Sequence, residues 1–118
     1  MKTVVIGASP NKSRYSNMAV HRLLEKGHEV IPLGIRKGEI AGLKIITDRP
    51  EIKDVHTVTM YVGLKIQPEW YDYILNLNPK RVIFNPGTEN PEFEEILESK
   101  GIETYENCTL VLLATNQF

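Results

Sequence analysis

The chain has 118 residues, 42% of them hydrophobic, 25% charged and 8% aromatic, which suits one ordinary globular domain and leaves too little length for two catalytic ones. A formal net charge of -1 excludes the global basic field that draws proteins to nucleic acid. The lone Cys108 excludes an internal disulfide, His21, His28 and His56 are too scattered for a zinc site, and the apolar run Thr3–Ile6 is too short for a signal peptide or a membrane span. The expectation is a soluble, cytoplasmic, single domain over residues 1–118, with no nucleic-acid or membrane partner and with room for a homodimer or a protein partner.

In chain order, Thr3 to Ile6 is a β-branched run closed by Gly7, the pattern of a strand buried on both faces of a parallel sheet. Ala19, Val20, Leu23 and Leu24 then recur at helical spacing up to Gly27, and Glu29 to Leu33 supplies a second strand, completing a βαβ unit. From Gly34 to Pro50 the pattern breaks into a long loop, within which Lys44–Ile46 predicts a short strand. His56–Val62 predicts strand three, and Ile66, Trp70, Tyr73, Ile74 and Leu77 share one face of the helix that follows. Arg81–Phe84 predicts strand four. Asn90 can cap the next helix, with Pro91 in its first turn, and Gly101 stops it. Ile102–Tyr105 predicts strand five and Thr109–Thr115 a short terminal helix. Alternating strands and helices predict an α/β fold: a Rossmann-like, doubly wound, mainly parallel five-stranded sheet in three layers, with ligands bound beyond the carboxyl ends of its strands. The loops after strands one and four are the expected places.

The first of these loops, Gly7-Ala8-Ser9-Pro10-Asn11-Lys12-Ser13-Arg14-Tyr15-Ser16, follows the first buried strand, where a dinucleotide fold aims a helix N-terminus at phosphate oxygens. Only the first glycine of the usual G-x-G-x-x-G fingerprint is present, because Ser9 and Lys12 occupy the other two positions. In their place Ser9, Ser13 and Ser16 offer hydroxyls and Arg14 a planar cation. The plainer reading makes Ser13 or Ser16 the helix cap and Arg14 a surface charge; the position of the loop favours an anion site. Strand two ends without the acid that binds the ribose of NAD. Leu33-Gly34-Ile35-Arg36-Lys37 stands there, and the two cations suit a ligand with an extra ribose phosphate, as CoA has at 3′ and NADP at 2′.

The motifs G-A-S-x4-R-Y-S after strand one, G-H-E-V-I-P at strand two, G-E-I-A-G in the next loop and N-P-G-T-E-N after strand four, in that order, resemble the small bacterial CoA-binding proteins. That family is similar in turn to the nucleotide-binding domain of the succinyl-CoA ligase alpha subunit. The resemblance runs from Met1 to about Cys108. It implies that Gly7, Ala8, Ser9, Arg14 and Ser16 hold the CoA pyrophosphate, that Tyr61-Val62-Gly63 borders the adenosine, and that Pro86 and Gly87 form the facing wall. The chain departs from the family pattern at Leu33-Gly34-Ile35, where V-N-P is common, and at Asn85, where a glutamine is usual.

No catalytic constellation is visible. Ligases of the related type need a phosphate-carrying histidine, usually on a second domain, and none of the three histidines falls at a predicted ligand edge. Cys108 does follow strand five near that edge, where a thiolate could form a mixed disulfide with CoA, although a small buried side chain is the plainer reading. The residues predict non-enzymatic binding of CoA or acyl-CoA. The alternatives are an NADP-binding redox protein, or a nucleotide-binding subunit of a larger acyl-transfer complex.

Overall fold

The computed structural model describes all of residues 1–118. Its main sheet contains β1 (Thr3–Ile6), β2 (Val30–Leu33), β5 (Thr57–Met60), β6 (Arg81–Phe84) and β7 (Glu103–Glu106), all parallel, in the spatial order β2-β1-β5-β6-β7. Between β2 and β5 the chain makes a small antiparallel hairpin, β3 (Glu39–Ile40) and β4 (Leu43–Lys44), turning at Ala41 and Gly42 with positive φ at both. The helices are α1 (Tyr15–Glu25), α2 (Tyr71–Leu77), α3 (Pro91–Ser99) and α4 (Thr109–Ala114), and a 3-10 turn, Gln67–Trp70, leads into α2.

Successive residues of a strand face opposite sides of the sheet, so its inner strands, buried on both faces and mostly apolar apart from Thr3, Thr57, Thr59 and Arg81, divide their side chains between two cores. Val4, Ile6, Val58, Met60, Val82 and Phe84 pack under α2 and α3, against Trp70, Ile74, Phe93 and Leu97. On the other side Val5 meets Val20 and Leu23 of α1 and Leu113 of α4. Three layers result, in a Rossmann-like α/β fold. Asn90 caps α3 as expected, accepting from Phe93 N at 3.1 Å, while the Glu94 carboxylate reaches back to Asn90 N at 3.2 Å.

Three expectations need correction. The Lys44–Ile46 strand is divided: Leu43 and Lys44 belong to the hairpin, whereas Ile46 bridges Leu33 in parallel beyond β2, its N–H donating to Pro32 O at 2.9 Å. The helix around Trp70 begins as a tighter 3-10 turn, Gln67–Trp70, before continuing as α2. Most important for the site, the strand order reverses between β1 and β5. The crevice therefore opens between the loops after these two strands, and the loop after β6 lies one strand further along.

Candidate functional site

At the end of β1, Gly7 turns the chain with φ 96, a value that L side chains rarely adopt, and a Cβ there would lie 3.0 Å from the Tyr61 carbonyl. The Gly7–Ser16 loop thus rests directly on the loop that leaves β5. Two consecutive amides, Gly7 N and Ala8 N, donate to Leu33 O at 3.0 and 2.8 Å. Gly7 and Ala8 therefore give the loop its shape, and their amides are not available to an anion. The next turn is organised from within: Asn11 N donates to Ser9 Oγ at 3.1 Å, and Asn11 Oδ1 accepts from both the amide and the hydroxyl of Ser13. Buried Asn17, which sequence reasoning passed over, donates from Nδ2 to Ser9 O at 2.9 Å and ties the loop to α1.

Neither serine caps α1. Arg14 occupies the N-cap position with extended backbone and no side-chain cap bond, and Ser16 lies buried in the first turn. The amides of Tyr15 and Ser16 consequently point out of the helix end without a partner in the protein. Around this end stand Lys12 and Arg14, both exposed and neither in an ion pair, since the one ion pair of the chain joins Arg22 to Glu25.

The loop carrying Arg36 and Lys37 comes alongside. A Cβ on Gly34 would lie 2.3 Å from Ala8 O, and one on Gly38 would lie 2.8 Å from Pro10 Cβ, so this loop is packed against the Gly7–Ser16 loop at both of its ends. Arg36 and Lys37 are exposed and unpaired between those contacts. The structure thereby brings Gly7 to Ser16, Arg36, Lys37 and Tyr61-Val62-Gly63 to one edge.

Pro86 and Gly87 are exposed on the loop after β6 and are joined to that edge through buried amides. Gln67, fully buried, donates from Nε2 to Val62 O at 2.9 Å and Thr88 O at 2.7 Å, and its Oε1 accepts from Asn90 Nδ2 at 2.9 Å. Asn85 binds Thr59 Oγ1 and Met60 O through Nδ2, at 2.7 and 2.8 Å, and takes the Thr109 amide on Oδ1 at 2.8 Å. The shorter amide at this position thus clamps β5, β6 and the start of α4. Tyr61 turns its ring inward; its buried Oη, near Thr59 and Thr109, makes no well-formed hydrogen bond, and burial pushes its pKa well above the ordinary 10. Half-buried Cys108 adjoins it at the N-cap of α4.

A family described as a CoA binding domain matches residues 1–114. The chain belongs to that family. A crystal structure of an uncharacterized protein is 53% identical, with a TM-score of 0.97, over 99% of this chain and 97% of the other. A conserved hypothetical protein from Pyrococcus furiosus is 33% identical, with a TM-score of 0.80 over 93% and 97% of the two chains. A Thermus thermophilus protein, at 23% identity, TM-score 0.84 and 99% and 90% coverage, shares the fold. No curated protein matches the chain. No helix is long and apolar enough to cross a membrane.

Away from this edge, a groove of about 790 Å³ runs between α1 and α4 over Met18, Leu110, Leu113 and Ala114. It touches the Gly7–Ser16 loop only at Lys12.

Proposed function

We propose that the chain binds CoA or an acyl-CoA at the carboxyl edge of its sheet and performs no chemistry of its own on it. The observation that carries this reading is a set of four exposed, unpaired cations, Lys12, Arg14, Arg36 and Lys37, on two loops packed against each other beside open helix amides. Two anionic groups a few bonds apart match such a surface: a pyrophosphate at the helix end, and a ribose phosphate at the Arg36-Lys37 loop. In this reading Arg14, with the first amides of α1, holds the pyrophosphate, while Ser9 and Ser13 keep the loop in shape. Membership of the CoA binding domain family favours CoA over NADP. The uncharged parts of CoA also have a surface to cover, because Tyr15, Ile35 and Leu64 are 70%, 87% and 53% exposed on the three surrounding loops. His28 and His56 precede β2 and β5, at the opposite edge, and His21 lies within α1 on the groove beside α4, so none of the three stands among the four cations.

Titration calorimetry with CoA, dephospho-CoA, NADP and NAD tests the reading. CoA should bind most tightly and NAD least, and absence of CoA binding at millimolar ligand would overturn it. Native mass spectrometry of the purified protein would name the acyl group of any thioester it retains.

A further inference from the structure

We propose that Gly34 and Gly38 are positioning residues that set the distance between the two anion sites, so that the missing side chains at these positions select a ligand with a phosphorylated ribose. The inference rests on the CoA reading and deepens it. Arg36 and Lys37 are themselves long and exposed, and on a free loop they would neutralise any nearby anion at any distance. Their loop is not free. Gly34 approaches the Ala8 carbonyl so closely that a Cβ would lie 2.3 Å from the oxygen, and Ile45 Cγ2 stands 3.0 Å away on another side. Its amide donates to Ile46 O at 3.0 Å. Four residues on, the Gly38 position is walled by Pro10 Cβ at 2.8 Å and Cγ at 3.0 Å, and Gly38 O accepts from Ile45 N at 2.8 Å.

The cationic segment between them is therefore a short arm fixed at both ends, on one side by the phosphate loop and on the other by the strip Ile45–Ile46. Its rise above the pyrophosphate site is determined by two close contacts of side-chain-free positions, Gly34 on the Ala8 carbonyl and Gly38 on the Pro10 ring. A fixed arm binds the phosphate at one separation without first losing loop entropy. Adding a methyl at either glycine wedges the arm away from the loop and removes that preorganisation at the ribose phosphate, while the pyrophosphate site keeps its residues.

The test uses Gly38→Ala, because its obstacle is a surface proline ring, whereas Gly34→Ala would meet a backbone oxygen. CoA and dephospho-CoA are titrated into wild type, Gly38→Ala, and Gly38→Ala combined with Pro10→Gly, which removes both atoms of the wall, with a melting curve for each. In wild type CoA should bind more tightly than dephospho-CoA. Gly38→Ala should lower that preference about tenfold, mainly by weakening CoA, and Pro10→Gly should restore most of it. An unchanged preference in Gly38→Ala, or an equal loss for both ligands, overturns the positioning role alone. Wild type that does not distinguish the two ligands overturns both this role and that of the cations, and wild type that binds neither overturns the CoA reading itself.

Discussion

The two edges of the sheet carry the same kinds of residue and use them in opposite ways. Where the strands begin, Arg81 and two histidines are packed, although Lys80 beside them is exposed. Arg81 donates from Nε to Thr57 Oγ1 at 2.8 Å and lies 4.5 Å from the centroid of the Phe118 ring, which His28 also meets edge-on at 4.9 Å. His56 shares a hydrogen bond of 2.8 Å with Thr57 Oγ1. Where the strands end, Lys12, Arg14, Arg36 and Lys37 have no such partners, although the backbone that carries them is held by Asn17 at Ser9 O and by the close approaches of Gly34 and Gly38 to Ala8 and Pro10. Charge held by packing contributes to the fold, whereas exposed charge on a fixed backbone is free to meet a ligand.

Three substitutions would break or sharpen this contrast. The largest effect belongs to Asn85→Ala, which leaves the Thr109 amide and Met60 O without their buried partner and should lower stability by about 2 to 4 kcal/mol in chemical denaturation. A loss well under about 1 kcal/mol would mean that the clamp is not what holds the carboxyl edge. Arg14→Ala should weaken CoA binding by about 1.5 to 3 kcal/mol and leave the denaturation midpoint in place. If both ligand affinity and stability stayed constant, the phosphate-loop assignment would fail. Arg81→Ala should do the reverse and more weakly, lowering stability by about 1 kcal/mol through the lost Thr57 bond and Phe118 contact, partly offset because its buried Nη2 has no partner. CoA affinity should not change, and a drop would erase the distinction between the edges.

Much of the fold was legible because its signals are periodic. Thr3–Ile6 and Arg81–Phe84 are strands with the expected bounds, and Asn90 followed by Pro91 marks the start of α3. Ile45 and Ile46 were harder, since Ile45 only extends the hairpin by one bond to Gly38 O while Ile46 pairs alone beside β2, a tertiary choice that short apolar runs do not encode. At the site, the placement of Arg14 and the Arg36-Lys37 pair at the carboxyl edge could be read from their position after β1 and β2. The engagement of Gly7 N and Ala8 N with Leu33 O could not, because it depends on how β2 ends beside β1. Gln67, Asn17 and Asn85 were likewise hidden: each is a polar residue next to a loop, and only burial turns it into a junction. Gly34 and Gly38 stood out as loop punctuation, but their use as contact points requires Ala8 and Pro10 to be opposite them.

The smallest effect separates the edges by pH. At the amino edge burial lowers the pKa of His28 below its ordinary 6.5, helped by the N-terminal ammonium, Arg81 and His56. Burial also lowers that of His56, with Arg81, the N-terminal ammonium and Lys80 acting in the same direction and Glu103 against it. Between these depressed values and about 6.5 the unfolded chain binds more protons than the folded one, so stability rises with pH through that window. The histidine contribution is complete above it and is lost as pH falls. Glu94 works in the opposite sense, its carboxyl raised by burial and by its neighbour Glu106, so wild type alone mixes two slopes. The informative measurement is a comparison of denaturation midpoints with those of a His28→Gln, His56→Gln double variant across this range. The variant should lose less stability than wild type as pH drops from about 7 to 5. Equal slopes would show that the amino edge does not hold these rings neutral.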